Sequence, residues 1–280
     1  MPYSTIVSTE VLAENASNSD WEILDCRMSL SDRDAGLKAY RENHIPYAQF
    51  CHVEDNFCSP VTEHSGRHPL PDIPTLLEKL GSMGINNNTQ VVVYDDANGA
   101  YASRVWWQLR ELGHYNVAVL DGGITQWMKE GRELTQLVPN IDATEYSGSF
   151  NTKSVVTTDQ VLENLSDHTF TLLDARSEER FKGDEEPIDP IAGRIPDSIN
   201  RPFQQNLDEN GLFLSADELK EQYENLIEET DMPIVHMCGS GITACHNKLA
   251  MEIAGLTGSK VYIGSWSEWI RNPERPIATG

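Results

Sequence analysis

Apolar residues along this chain come in short runs of two to four rather than in long helical stripes. Ile23-Leu24, Val92-Val93-Tyr94, Val117–Leu120, Leu172-Leu173, Ile234-Val235-His236-Met237 and Val261–Ile263 each read as a buried strand. Between them lie longer stretches of helical character, such as Ala244 to Ala254, which stops at Gly255, a residue suited to a left-handed helix end. Strands alternating with helices predict an α/β fold of mostly parallel sheet flanked by helices. The pattern is also written twice. Ile23-Leu24-Asp25-Cys26-Arg27 recurs as Leu172-Leu173-Asp174-Ala175-Arg176, and His44-Ile45-Pro46 recurs as Arg194-Ile195-Pro196. Val92 to Gly99 lies over Ile234 to Gly241 at a constant offset of 142, which also sets Ala102 on Ala244, Gly113 on Gly255, Val119 on Val261 and Trp127 on Trp269. Two tandem domains of one kind are therefore expected, 1–140 and 155–280, joined through the polar, turn-rich stretch 135–154.

One position breaks the symmetry in chemistry. The strand Ile234–Met237 runs into Cys238-Gly239-Ser240-Gly241-Ile242-Thr243, and the next helix follows at once. The first repeat has Asp96 where the second has Cys238. Ligands of open α/β sheets bind at the carboxyl ends of strands, which is where this thiol is expected. Two glycines let consecutive backbone N–H groups turn inward, and the helix start adds about half a positive charge. Such a loop stabilises an anion, whether a thiolate or the outer sulfur of a persulfide.

Composition narrows the partners. Forty-four acidic against 21 basic residues give a net charge of −23, which argues against nucleic acid and anionic membrane surfaces. No stretch approaches the roughly 18 apolar residues of a membrane span, and the start of the chain lacks a basic and apolar leader, so a cytoplasmic protein is expected. Five cysteines without framework spacing suit a reducing compartment. Cys51, Cys58, His64 and His68 do not form matched ligand pairs, so no metal and no cofactor is expected.

The loop Cys238 to Ala244, the paired Asp-x-Arg landmarks, the Ile-Pro landmarks and Leu120-Asp121-Gly122-Gly123 together resemble the tandem-domain rhodanese superfamily, and within it the 3-mercaptopyruvate sulfurtransferases, over essentially the whole chain. The resemblance implies a degenerate first domain and a catalytic second one. It implies transfer of sulfur from a small anionic donor through a Cys238 persulfide to cyanide or to a thiol, such as thioredoxin or a low-molecular-weight thiol. It further implies that Gly239, Ser240, Gly241, Ile242 and Thr243 form the active loop, with the Ser240 hydroxyl beside the sulfur, and that Arg180 binds the donor carboxylate. His44 with Asp34 matches a pair that would pass protons to the loop serine.

The loop residues Gly239 and Thr243 carry no charge where thiosulfate-using relatives are often basic, which favours a monoanionic donor and leaves thiosulfate as the alternative. The loop after Arg180 reads Glu186-Pro187-Ile188-Asp189 where relatives often have a second arginine. Arg194 could stand in for that cation or face solvent. Arg67 and His68 are further candidates, against a plain loop in a proline-rich setting. Two rivals remain. A phosphatase of this superfamily needs an arginine six residues after the cysteine, where this chain has Ala244. A non-catalytic regulatory module usually lacks the cysteine.

Overall fold

The structure is a computed structural model that describes residues 2–230 and 232–280, with side chains for all of these except 228–230. It divides into two compact units. The first gathers the chain up to Ser59, Pro71–Asn151 and Asn210–Leu212; the second gathers Pro60–Leu70, Thr152–Glu209 and Phe213–Gly280. The passage from one to the other at Asn151 falls inside the turn-rich stretch 135–154, but Pro60–Leu70 belongs with the second unit, which a division into contiguous halves does not contain.

In the first unit β1 (Ile6–Val7), β2 (Trp21–Asp25), β3 (Ala48–Phe50), β4 (Gln90–Tyr94) and β5 (Val117–Leu120) form a sheet in the order β1-β5-β4-β2-β3. Every pair is parallel. In the second unit β6 (Thr171–Asp174), β7 (Ile199–Asn200), β8 (Ile234–Met237) and β9 (Lys260–Val261) form a parallel sheet in the order β7-β6-β8-β9, and Val155 bridges Val261 where the first sheet has β1. The α/β reading of two similar sheets flanked by helices holds, strand for strand.

Each core repeats the other. Ile23, Val92, Tyr94, Leu120 and Trp127 pack together in the first unit, and Leu172, Val235, Met237, Trp266 and Trp269 in the second. β4, β5 and β8 are buried along their whole length, which is why they read as continuous apolar runs instead of alternating ones. The helices Ala102–Glu111 and Thr243–Ile253 carry the chain between neighbouring parallel strands, and each ends at a glycine with positive φ, Gly113 at 85° and Gly255 at 75°.

The Asp-x-Arg landmarks turn out to be scaffolding. Arg27 Nη2 meets Asp25 Oδ2 at 2.6 Å and the Asn43 carbonyl at 2.7 Å; Arg176 Nη2 meets Asp174 Oδ2 at 2.7 Å and the Gly193 carbonyl at 2.8 Å. Both pairs are buried at the carboxyl ends of β2 and β6, where they tie the strand end to the following loop.

Candidate active site

Cys238 follows β8 directly and is 2% exposed. Its Sγ accepts the backbone N–H groups of Ser240 at 3.4 Å and Gly241 at 3.1 Å. Gly241 has φ 77°, the left-handed turn that brings its amide round to the sulfur, and Thr243 opens the helix that follows. Ile242 is the helix cap, buried with its carbonyl bonded to the Cys245 amide.

The other cysteines lack this setting. Burial pushes the Cys26 thiol well up, with Cys51 beside it adding to the effect, and burial likewise raises Cys58. Cys245 donates its thiol to the Gly241 carbonyl at 3.3 Å.

The first unit displays what the loop is built to hold. Asp95, not Asp96, takes the place of Cys238, because Tyr94 pairs with Asp25 as Met237 pairs with Asp174 and the Asp95 carbonyl accepts the Ile124 amide as that of Cys238 accepts the Trp266 amide, so the strands align one residue further along than the sequence offset of 142. Asp95 folds its carboxylate into the loop: Oδ1 accepts the amides of Ala97 and Gly99 at 2.9 and 2.8 Å, and Oδ2 those of Tyr101 and Ala102 at 2.8 and 2.9 Å. Burial raises its pKa, and the four donors work against that rise. The Ala97 amide, two residues past Asp95, corresponds to that of Ser240, two past Cys238, and the amides of Gly99, Tyr101 and Ala102 correspond at the offset of 142 to those of Gly241, Thr243 and Ala244. One repeat fills its anion cradle with its own carboxylate, and the other presents a sulfur there.

A second loop fixes the first. Ser265 sits at φ 52° where the first repeat has Gly123 at 57°; its hydroxyl accepts the Cys238 amide at 3.1 Å and donates to the Tyr262 carbonyl at 2.8 Å. The amides of Trp266 and Ser267 donate to the carbonyls of Cys238 and Gly239 at 3.0 and 2.9 Å. The same short helix, Ser265–Trp269, anchors the Pro60–Leu70 segment, since Ser267 Oγ accepts the Arg67 amide at 3.1 Å and Glu268 accepts the Gly66 amide at 3.3 Å. Gly66 must be glycine here, because a Cβ would lie 2.6 Å from the Gly264 carbonyl oxygen.

That segment delivers two side chains to the loop. His68 Nδ1 lies 2.7 Å from Ser240 Oγ, both residues buried. Arg67 and Arg180 close over Gly239, where a Cβ would come within 3.0 Å of Arg67 Nη2 and 3.3 Å of Arg180 Nη2. Burial pushes the Arg67 guanidinium down from its ordinary value, and the facing Cys238 is the largest influence holding it up. Among the described residues, its buried Nε finds no acceptor. Arg180, on the helix Glu178–Lys182, is held from behind by Glu186, whose carboxylate meets its Nε at 3.1 Å, and Arg176 reaches the same carboxylate at 3.4 Å.

The remaining expected residues lie elsewhere. Arg194 donates to the Gly280 carbonyl at 2.7 Å and stacks 4.8 Å over the Phe181 ring, so the cation beside Arg180 is Arg67. His44 is fully buried in the first unit, stacked on Tyr40 at 3.9 Å, its two ring nitrogens against the carbonyls of Tyr40 and Leu137 at 2.8 and 3.1 Å. Asp34 is the exposed N-cap of the helix Ala35–Glu42 and makes no side-chain capping bond. The ring bonded to Ser240 is that of His68. Ser265 and Ser267 were not anticipated, although a serine at a position where the other repeat has glycine was a legible signal.

The rhodanese-like domain model matches residues 8–130 and 157–272. The chain is 40% identical over its full length to the full-length "Probable 3-mercaptopyruvate sulfurtransferase" of Pseudomonas aeruginosa. It is 35% identical to the thiosulfate sulfurtransferase of Rattus norvegicus, with 99% of this chain and 96% of that one covered. Among solved structures, the rhodanese-fold 3-mercaptopyruvate sulfotransferase of Escherichia coli superposes with a TM-score of 0.79 at 29% identity, covering 95% of this chain and all of that one.

Proposed function

This chain belongs to the rhodanese family of sulfurtransferases, and from that premise we propose that it takes sulfur from 3-mercaptopyruvate onto Cys238 and passes it to a thiol or to cyanide. The observation that carries the reading is the meeting at one point of a thiol sulfur that receives two backbone N–H groups and two guanidiniums packed against the next residue, Gly239.

The Cys238 thiolate attacks the donor sulfur. The bond between that sulfur and the donor's methylene carbon breaks, its electron pair becomes the enolate of pyruvate, and a proton delivered to carbon completes pyruvate. The enzyme keeps Cys238 as a persulfide. An acceptor thiolate then attacks the outer sulfur and returns Cys238 as a thiolate, a two-stage covalent cycle. The Asp95 carboxylate in the first repeat supports a place for the outer sulfur, since the amides matching its four donors belong to Ser240, Gly241, Thr243 and Ala244. The bond between His68 and Ser240 Oγ supports a proton path beside the sulfur, with the imidazole as the group that exchanges the proton. We therefore give proton handling to His68 and Ser240 and leave His44 and Asp34 as residues of the first unit's own packing and surface.

Arg180 and Arg67 are the proposed grip on the donor carboxylate, and the unpaired Arg67 Nε supports an anion there. Thiosulfate is the second reading, because two cations beside the loop also suit a dianion and a thiosulfate sulfurtransferase is among the relatives. The proposed acceptors are thioredoxin or a low-molecular-weight thiol, and the proposed compartment is the cytoplasm. Among the described residues no helix is long and apolar enough to cross a membrane.

Exposure to 3-mercaptopyruvate followed by intact-mass analysis tests the reading. The mass should rise by one sulfur atom, localised to the peptide bearing Cys238, and return to its starting value on adding a thiol. No added sulfur with 3-mercaptopyruvate or with thiosulfate would overturn it.

A further inference from the structure

The acceptors around the two arginines are not equivalent. Glu186 is tied to its own turn, its Oε1 accepting the amides of Ile188 and Asp189 at 3.1 and 3.0 Å, and it braces Arg176 and Arg180 from behind. Asp189 lies between the cations. Its Oδ1 pairs with Arg67 Nη1 and its Oδ2 with Arg180 Nη2 at 3.2 Å, and only 3% of its side chain is exposed. These are the two guanidiniums that face Gly239. A carboxylate is thus already seated on the pair of groups to which the proposed function assigns the donor's carboxylate.

We propose that Asp189 is an internal stand-in for the donor: it occupies Arg67 and Arg180 in the substrate-free enzyme, and the donor's carboxylate takes its place. The inference rests on the reading of those two arginines as the donor grip. It makes Asp189 a specificity-determining residue. Arg67, Arg176 and Arg180 against Asp174, Glu186 and Asp189 balance to zero, three charges of each sign. Exchange of one carboxylate for another keeps that balance, whereas a dianion adds a charge that nothing in the cluster offsets. The exchange also weakens donor binding, because each ion pair the donor makes with the arginines replaces an ion pair of the same kind. Arg67 supplies the second cation that the loop after Arg180 lacks, and Asp189 moderates it.

Asp189→Asn keeps the shape and removes the charge. The direct readout needs no sulfur donor: Cys238 is alkylated with iodoacetate, an anion, and with iodoacetamide, its neutral analogue, and the two rates are followed by mass spectrometry. The iodoacetate to iodoacetamide ratio should rise by roughly threefold or more in Asp189→Asn, as expected when one full charge is removed within several ångströms of the approach path. Asp189→Glu, which keeps the charge, should hold the wild-type ratio, and Asp189→Ser should raise it like Asn, which guards against a single variant that folds poorly. In turnover, KM for 3-mercaptopyruvate should fall and kcat/KM for thiosulfate should gain more than that for 3-mercaptopyruvate. An unchanged alkylation ratio in both uncharged variants overturns the proposal. A raised ratio in a protein that turns over neither donor supports the role of Asp189 and refutes the proposed function instead, so the two failures are distinguishable.

Discussion

The proposed chemistry rests on a single sulfur atom, which receives two backbone N–H groups where the first repeat seats a carboxylate. Cys238→Ser keeps the hydrogen-bonding geometry at Ser240 and Gly241 but places a hydroxyl where a persulfide must form, so sulfur transfer should be lost while the far-ultraviolet circular dichroism and the melting temperature stay close to wild type. Activity above a trace would move the chemistry to another cysteine. Arg180→Ala leaves Glu186 with Arg176 as its cationic partner and removes half of the proposed grip. We expect kcat/KM for 3-mercaptopyruvate to fall by roughly one to two orders of magnitude, the equivalent of one lost charge-assisted contact. Steady-state kinetics check this, and an unchanged value would return Arg180 to a structural role. Gly239 was legible as an uncharged loop residue, but its physical meaning was not: no Cβ fits easily beneath two guanidiniums, and that depends on Arg67, which arrives from 172 residues away in sequence (239 − 67).

Elements were legible wherever a local rule acted alone. Parallel strands buried on both faces must be continuous apolar runs, and glycine must end a helix in the left-handed region, so β4, β8 and the helices that follow them could be placed from the chain itself. What escaped was pairing between elements. Arg194 shares its Ile-Pro landmark with His44, yet each is absorbed locally, one by the Gly280 carbonyl and Phe181, the other by Tyr40 and Leu137. His68, in a stretch that reads as plain loop, meets Ser240 because Ser267 and Glu268 hold its backbone segment. β8 carries a further consequence. His236 is fully buried, its ring nitrogens have no partner among the described residues, and burial with Lys248 nearby pushes its pKa down to about 3 from 6.5. The native state therefore keeps His236 neutral where the unfolded chain would protonate it. Its contribution is complete above pH 6.5 and is lost as pH falls from there toward 3, an effect on the order of a few kcal/mol. His236→Leu should flatten the fall in denaturant midpoint between pH 7 and about pH 4.5. A variant whose pH profile overlays the wild type would place the acid sensitivity in other groups.

At the scale of the whole molecule, charge sets a problem that the site must solve. A net charge of −23 repels any anionic donor at long range, while Arg67 and Arg180 attract it only near Gly239. The two effects have different reach. At about 10 mM ionic strength the screening length is roughly 30 Å, and the field of the whole chain acts on an approaching donor; at about 150 mM it is roughly 8 Å, and the nearest groups dominate. Added salt should therefore remove more repulsion than attraction. We expect kcat/KM for 3-mercaptopyruvate to rise by about two- to threefold between those ionic strengths, the reverse of the usual slowing of an electrostatically steered encounter. Alkylation of Cys238 by neutral iodoacetamide should hardly change, which separates an effect on approach from one on the reactivity of the sulfur. If the rate with 3-mercaptopyruvate falls steadily with salt instead, the local cations govern approach from a distance and the acidic surface is electrostatically remote from the site.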